Sequence, residues 1–299
     1  MTTINPLQVE SRIASARSLL FVPGDRPDRI GKALGSDADG VIVDLEDAVR
    51  PENRAYARNI LRHITDLASI TAQPFLLVRV NAFGSEDFVE DVEAAIEVGA
   101  VGIVLPKFVS GQLANDMDET LSVLESDLGR SARLPVIGLV ESAVGVLALF
   151  KSAALPARVI RLAFGGADFH SDLGITHQVT GVQSDFAMAA LVLASTAANL
   201  APPLDSPHFG LDDDEGLALA TRHARDIGFA GKLCIHPKQL RAVHVGFTVS
   251  DSEYAWAQSV LAQWNDPSSH GAGAIRVGDE LIDEAMVRRA RQILGMKEA

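Results

Sequence analysis

Gly40-Val-Ile-Val-Asp-Leu-Glu-Asp47 opens on an unbroken apolar run, Val41 to Val43, and closes on three acids, Asp44, Glu46 and Asp47. A short apolar run without polar alternation reads as a strand covered on both faces, the situation of a parallel sheet. The acids then mark the C-terminal end of that strand. The same pattern recurs along the chain in Ser18–Pro23, Pro74–Asn81, Val101–Phe108, Pro135–Ser142, Val159–Phe169, Leu200–Phe209 and Gly231–Pro237. The Leu200 run is rich in proline and is the weakest of the eight as a strand. Starts recur about every 30 residues, the size of a βαβ step. Between them Phe88, Val92, Ala95 and Ile96 repeat at helical spacing, as do Leu113, Met117, Leu121 and Leu124. Eight such steps predict a single (β/α)8 barrel of the α/β class, with an open doubly wound sheet as the alternative. The expected division is a barrel over 1–245 and a C-terminal helical extension or lid over 246–299.

Composition narrows the function classes. The chain has 299 residues, 47% of them hydrophobic, enough for a large core. It holds no apolar run long enough to span a bilayer. The stretch Met1 to Arg17 contains Glu10 and no continuous apolar segment, so it does not read as a secretory signal. The single cysteine, Cys234, excludes an internal disulfide and fits a cytoplasmic setting. A formal net charge of −13 argues against nonspecific binding to nucleic acid or anionic membrane.

Ionisable residues gather where the runs end. Arg79 and Asn81 close the third, Lys107 the fourth, Glu141 the fifth and Asp168 the sixth; Asp205 lies in the seventh and His236 near the end of the eighth. In a barrel these ends meet at one rim, where active sites sit. Arg161 and Lys232 are the exceptions, lying near strand beginnings. Glu141 and Asp168 end consecutive runs, and two carboxylates without cysteine or spaced histidine favour an oxygen-loving ion, best Mg²⁺. Their alternative is a pair of loop-bonded carboxylates, or an acid/base pair without metal. The small residues Gly165, Gly166 and Ala167 would let backbone N–H groups approach a bound carboxylate. Arg79, in an otherwise apolar run, needs a partner. It pairs with Asp44 or Glu46, or stabilises an oxyanion, and the two roles are compatible. Arg26, Arg29 and Lys32 place positive charge near a helix start, as a phosphate site or a solvated helix face. His170, His236 and Cys234 read as structural groups.

Taken in order, Arg-Ser-Leu-Leu-Phe-Val-Pro-Gly24, Asp-Leu-Glu-Asp-Ala-Val49, the Val-Arg-Val-Asn string at Arg79, Leu-Pro-Lys107, the Val-Glu-Ser string at Glu141, the Phe-Gly-Gly-Ala-Asp-Phe string at Asp168 and the Ile-His-Pro string at His236 resemble the CitE-like (citrate lyase β-subunit-like) branch of the HpcH/HpaI aldolase superfamily. The resemblance covers nearly the whole chain. It implies a TIM barrel, a homotrimer or multiple of trimers, that cleaves or forms a carbon–carbon bond in a CoA thioester with a small 2-oxo acid as partner. By position, Glu141 and Asp168 match the Mg²⁺ ligands and Arg79 the substrate-binding arginine, with Glu141, Gly166 and Ala167 also at the substrate. The expected activity is a lyase acting on malyl-, methylmalyl- or citramalyl-CoA. The alternatives are a citryl-acyl-carrier-protein lyase subunit of citrate lyase, a malyl-CoA-type thioesterase, and a non-catalytic CoA-ester-binding relative. Gly-Asp-Glu-Leu-Ile-Asp283 resembles the family segment whose aspartate acts as general acid/base from a C-terminal lid. Leu281 and Asp279 depart from that segment, and Asp283 also fits an N-cap for the helical stripe Met286, Ala290, Ile293 and Leu294, which Gly295 would stop.

Overall fold

The computed structural model of the protein describes residues 6–64, 74–151, 154–175, 181–266 and 273–298; the first five residues of the Met1 to Arg17 stretch lie outside the described residues. The eight runs contain strands β1 (Ser18–Pro23), β2 (Gly40–Asp44), β3 (Phe75–Arg79), β4 (Gly102–Leu105), β5 (Val136–Val140), β6 (Val159–Phe164), β7 (Ala201–Asp205) and β8 (Gly231–Cys234). Each pairs in parallel with the next, and β8 pairs back onto β1, closing the barrel. Closure excludes the doubly wound alternative. No described helix is long and apolar enough to cross a membrane.

Strand alternation divides the apolar residues into two layers. Leu20, Val41, Val43, Leu76, Val78 and Ile103 join the core shared with the outer helices. Leu19, Ile42, Leu77, Val104, Ile137 and Leu233 form a second cluster, which Val9 and Ile13 of the N-terminal helix Pro6–Ser15 complete. That helix plugs the lower end of the barrel.

The two charges near strand beginnings now have physical reasons. Arg161 is fully buried and binds the plug: Nη1 donates to the carbonyls of Ile13 (2.9 Å) and Ala16 (2.7 Å), and Nε to that of Pro202 (2.7 Å). It thus satisfies carbonyls at a helix C-terminus, which have no partner of their own. Lys232 forms a buried ion pair with Asp205, its register partner across β7 and β8. Stagger between barrel strands brings the end of β7 beside the start of β8. Asp205 is therefore committed to a structural pair, although its place in the run set it with the rim acids. Replacing Arg161 by Met should lower unfolding free energy by about 3 kcal/mol, the scale of leaving several buried carbonyls unpaired. Urea denaturation checks this; wild-type stability in the variant would remove Arg161 from the plug's support.

The chain divides into two compact units, Met1–Phe247 and Thr248–Ala299. The second holds the helix Asp251–Trp264, an antiparallel hairpin of β9 (Ala274–Val277) and β10 (Glu280–Asp283), and the helix Glu284–Glu298. Ala257, Val260, Ile282, Val287 and Ala290 form its own small core. The helices of this extension were expected, but the hairpin was not. Its strands are short and mostly exposed, with only Ile282 buried, so they carry no apolar run to read. The last helix continues through Gly295.

Candidate active site

Asp44 and Arg79 are the last residues of β2 and β3 and are register partners, so they stand side by side. Arg79 grips Asp44 with two nitrogens, Nε to Oδ1 at 2.7 Å and Nη2 to Oδ2 at 2.6 Å, the strong bidentate arrangement. Its guanidinium carbon lies 4.9 Å from the Phe21 ring centroid, a cation–π contact. The third nitrogen, Nη1, lies 3.1 Å from Glu46 Oε2 and 3.5 Å from Asp47 Oδ2. Burial opposes the charge on Arg79, but its bond to Asp44 and the surrounding acids hold its pKa well above the ordinary value. Asn81, the other residue closing that run, donates to Leu45 O and Asp91 Oδ2 and serves the scaffold.

Glu141 follows β5 directly and is buried. Its Oε1 accepts the Lys107 N–H at 2.7 Å, while Oε2 has no hydrogen-bond partner among the described residues. A buried oxygen left bare is costly unless something absent from the bare chain satisfies it. Two backbone features hold the carboxylate there. Lys107 adopts a left-handed φ of +51°, which turns its N–H toward Glu141 and costs a non-glycine residue about 1 kcal/mol. Gly165 packs flat against Glu141: a Cβ at that position would lie 2.4 Å from Glu141 Cβ and 2.6 Å from Oε2.

Asp168 is displaced from its expected place. β6 ends at Phe164, and Asp168 sits exposed in the first turn of the short helix Gly166–Asp172. The glycine pair follows the strand, where close packing against Glu141 and Ser206 leaves no room for a Cβ. The N–H groups of this pair are already engaged, Gly165 with Val140 O at 2.9 Å and Gly166 with Ser206 Oγ at 2.8 Å. Of the trio offered to a bound carboxylate, Ala167 is the exposed member.

Glu46 is the residue whose importance was not visible in the sequence, where it was only one possible partner for Arg79. It is buried, its Oε2 makes no hydrogen bond among the described residues, and its Oε1 lies 3.4 Å from Lys107 Nζ. Burial chiefly pushes its pKa up to about 7, against the pull of Arg79. Burial likewise pushes Glu141 up to about 8, with the Lys107 N–H opposing and the charges of Glu46 and Asp168 adding to it. Asp168 is raised too, by partial desolvation of its carboxyl and by the charge of Asp47. The rim therefore carries more negative charge than Arg79 and Lys107 offset. Its donors are all oxygens, and a bare one belongs to Glu141. A hard cation fits these residues. Among the described residues no three His, Cys, Asp or Glu side chains group as a metal cage. An ion held by Glu141 and Asp168 would complete its shell with water or substrate oxygens, the habit of Mg²⁺.

The remaining candidates in the barrel have local partners or face solvent. Arg26 pairs with Asp28 at 3.2 Å, and Arg29 and Lys32 are exposed on the helix Pro27–Leu34, in keeping with a solvated face. His170 Nε2 bonds Ser184 Oγ at 2.6 Å, and His236 Nδ1 accepts the Lys238 N–H at 3.1 Å, so both are structural. Cys234 is a core residue whose thiol burial pushes up to about 12. Asp283, in the second unit, is exposed; its Oδ1 accepts the N–H groups of Ala285 (3.0 Å) and Met286 (3.1 Å), so it caps the last helix.

A closed barrel with a buried arginine and clustered acids at its strand ends is an enzyme scaffold. Residues 17–237 match the family model described as HpcH/HpaI aldolase/citrate lyase. The chain is 31% identical over 283 residues to a (3S)-malyl-CoA thioesterase of Cereibacter sphaeroides, covering 95% of each. It is 30% identical over 305 residues to an L-malyl-CoA/beta-methylmalyl-CoA lyase of Rhodobacter capsulatus, covering 94% of each. A crystal structure of CitE from Mycobacterium tuberculosis, in complex with magnesium, acetoacetate and coenzyme A, superposes with a TM-score of 0.76 at 29% identity, covering 96% of this chain and 99% of that one. The chain belongs to the HpcH/HpaI aldolase/citrate lyase family.

Proposed function

We propose that this protein is a Mg²⁺-dependent lyase that reversibly cleaves a 3-hydroxy-dicarboxylic acyl-CoA, of malyl-, methylmalyl- or citramalyl-CoA type, to an acyl-CoA and a small 2-oxo acid. The observation that carries the reading is Glu141 Oε2, a buried carboxylate oxygen without a hydrogen-bond partner among the described residues. Glu141 and Asp168 would hold the ion. When bound, Mg²⁺ supplies Lewis acidity to the hydroxyl and carboxylate oxygens of the substrate. The Lys107 N–H fixes the orientation of Glu141 for that task. Arg79 spends two nitrogens on Asp44, and its Nη1 edge, which lies 3.1 Å from Glu46 Oε2 and 3.5 Å from Asp47 Oδ2, would turn part of its charge to the thioester oxygen as the carbon–carbon bond breaks. Its burial and the Phe21 ring beneath it keep water from screening that charge. The enolate carbon then needs a proton, and Asp283 is the acid proposed to bring it. We place the reaction in a homotrimer or multiple of trimers. Exposed Val144, Leu147, Phe150, Val182 and Phe186 support such assembly, with the Phe150 and Phe186 rings 6.1 Å apart on one apolar face.

Two further readings have support. The Cereibacter sphaeroides relative named as a thioesterase favours hydrolysis of the same type of ester. The family description, which includes citrate lyase, favours a subunit that works with an acyl carrier protein. Purified protein should condense acetyl-CoA or propionyl-CoA with glyoxylate or pyruvate when Mg²⁺ is present and stop when a chelator is added. Release of free CoA from malyl-CoA without an oxo acid would identify the thioesterase. Condensation with no substrate pair, or no dependence on Mg²⁺, would reject the lyase.

A further inference from the structure

We propose that Lys107 is a substrate-binding residue whose ammonium receives the carboxylate of the small 2-oxo acid. The inference rests on the lyase reading and adds to it the group that holds the oxo acid. Lys107 lies two residues beyond β4, on the rim of the strand ends, and its N–H is bonded to Glu141 Oε1. The ammonium is therefore tethered one side chain away from the carboxylate assigned to the ion.

The backbone makes the case for a working side chain. At φ +51° the residue sits where glycine rests without strain, and glycine would present the same N–H to Glu141. If the turn and its N–H were all the site needed, lysine would be the costlier occupant. Strained non-glycine residues of this kind collect at functional sites, where a particular side chain is worth the strain.

The charges say what that side chain meets. Among the described residues, Arg79 and Lys107 are the cations whose charges act on Glu46 and Asp168. Arg79 is buried and bonded to Asp44, so its charge is largely answered within the fold. Lys107 is 64% exposed at its side chain and lies 3.4 Å from Glu46 Oε1, longer than an ordinary hydrogen bond. Glu46, Asp47, Glu141 and Asp168 would together repel an incoming carboxylate. An ammonium on a flexible stem, loosely parked on Glu46, can turn to that carboxylate at little cost. The phosphates of CoA share this anionic chemistry, so the test separates them from the oxo acid.

Lys107→Met removes the ammonium and keeps the strain, whereas Lys107→Gly removes both and keeps the N–H. With Mn²⁺ as the probe ion, calorimetry on full-length protein should find both variants binding the metal as tightly as wild type. Affinity of the Mn²⁺-loaded variants for glyoxylate or pyruvate should fall about 10-fold or more, the loss of a charge-assisted contact, while affinity for free CoA holds. Lys107→Gly should melt above Lys107→Met. Wild-type oxo-acid affinity in Lys107→Met would overturn the proposal. So would weakened Mn²⁺ binding in both variants, which would place the effect on Glu141, or a loss confined to CoA. If wild type binds the oxo acid through Lys107 but turns over no CoA ester, the clamp stands and the lyase reading falls. If metal-loaded wild type binds no oxo acid, both fall.

Discussion

Glu141→Gln should weaken divalent-ion binding by about 10²-fold or more and abolish turnover while leaving the barrel folded, because a neutral amide nitrogen replaces the bare carboxylate oxygen. The glutamine can still accept the Lys107 N–H through its own oxygen, so the local structure has no reason to move. A pH signature accompanies the loss. In the metal-free fold the pKa values of Glu141 and Glu46 are raised from 4.5 to about 8 and about 7, chiefly by burial. The folded protein therefore binds protons that the unfolded chain has released. Stability from these groups is complete below about pH 4.5 and is lost as pH rises through 7 and then 8. Metal-free wild type should thus melt lower at pH 9 than at pH 6, and saturating Mg²⁺ should restore it at the higher pH. Glu141→Gln carries one such group fewer, so its melting temperature should fall less with pH and should not respond to Mg²⁺. Manganese titration and thermal melts across that range check both points. Near-normal metal affinity, or a melting curve with the wild-type pH slope, would remove Glu141 from the ion's shell.

The parts of the fold that sequence made legible are those where burial alone sets the residue types. Val41 to Val43 and Leu76 to Val78 are covered on both faces, so every position is apolar and the run stands out. Arg79 was legible for the same reason, as a charge in a place where charges are expensive. What stayed hidden depends on positions far apart in the chain. Arg161 makes sense only once the N-terminal plug helix lies under the barrel, and Asp205 only once stagger sets it beside Lys232. Glu46 and Lys107 were visible as rim charges. Their particular roles, a buried carboxylate facing Arg79 Nη1 and a left-handed N–H donor, are properties of packing and dihedral angle that composition does not encode. The run that reads as a strand continues into Phe169, past the strand's end at Phe164, and so sets Asp168 at a strand end rather than in the helix that follows. The glycine pair at 165 and 166 was the available signal for that boundary.

Asp283→Asn should lower turnover by about 10²-fold or more without weakening metal binding, the scale of losing a general acid or base. The expectation comes from the resemblance of the Gly-Asp-Glu-Leu-Ile-Asp283 string, together with the need for an acid to protonate the enolate. Two observations make the test a demanding one. Asp283 already caps the last helix through Ala285 and Met286, so asparagine, itself a good N-cap, is the substitution that keeps the cap while removing the acid. Glu46 is a rival within the barrel, with a pKa near 7 that suits proton transfer at neutral pH. It is also the partner of Arg79 Nη1, so its loss would disturb the oxyanion group as well. The two acids separate by exchange into solvent. With Asp283 as the proton carrier, Asp283→Asn should stop deuterium washing into the methyl group of acetyl-CoA, and Glu46→Gln should slow it less. The reverse order would assign the proton to Glu46 and leave Asp283 as the cap alone. If Asp283 serves the active site of a neighbouring subunit, mixing Asp283→Asn with inactive Glu141→Gln should restore part of the activity as subunits exchange. Mixed oligomers that form but stay inactive would confine Asp283 to the site of its own chain.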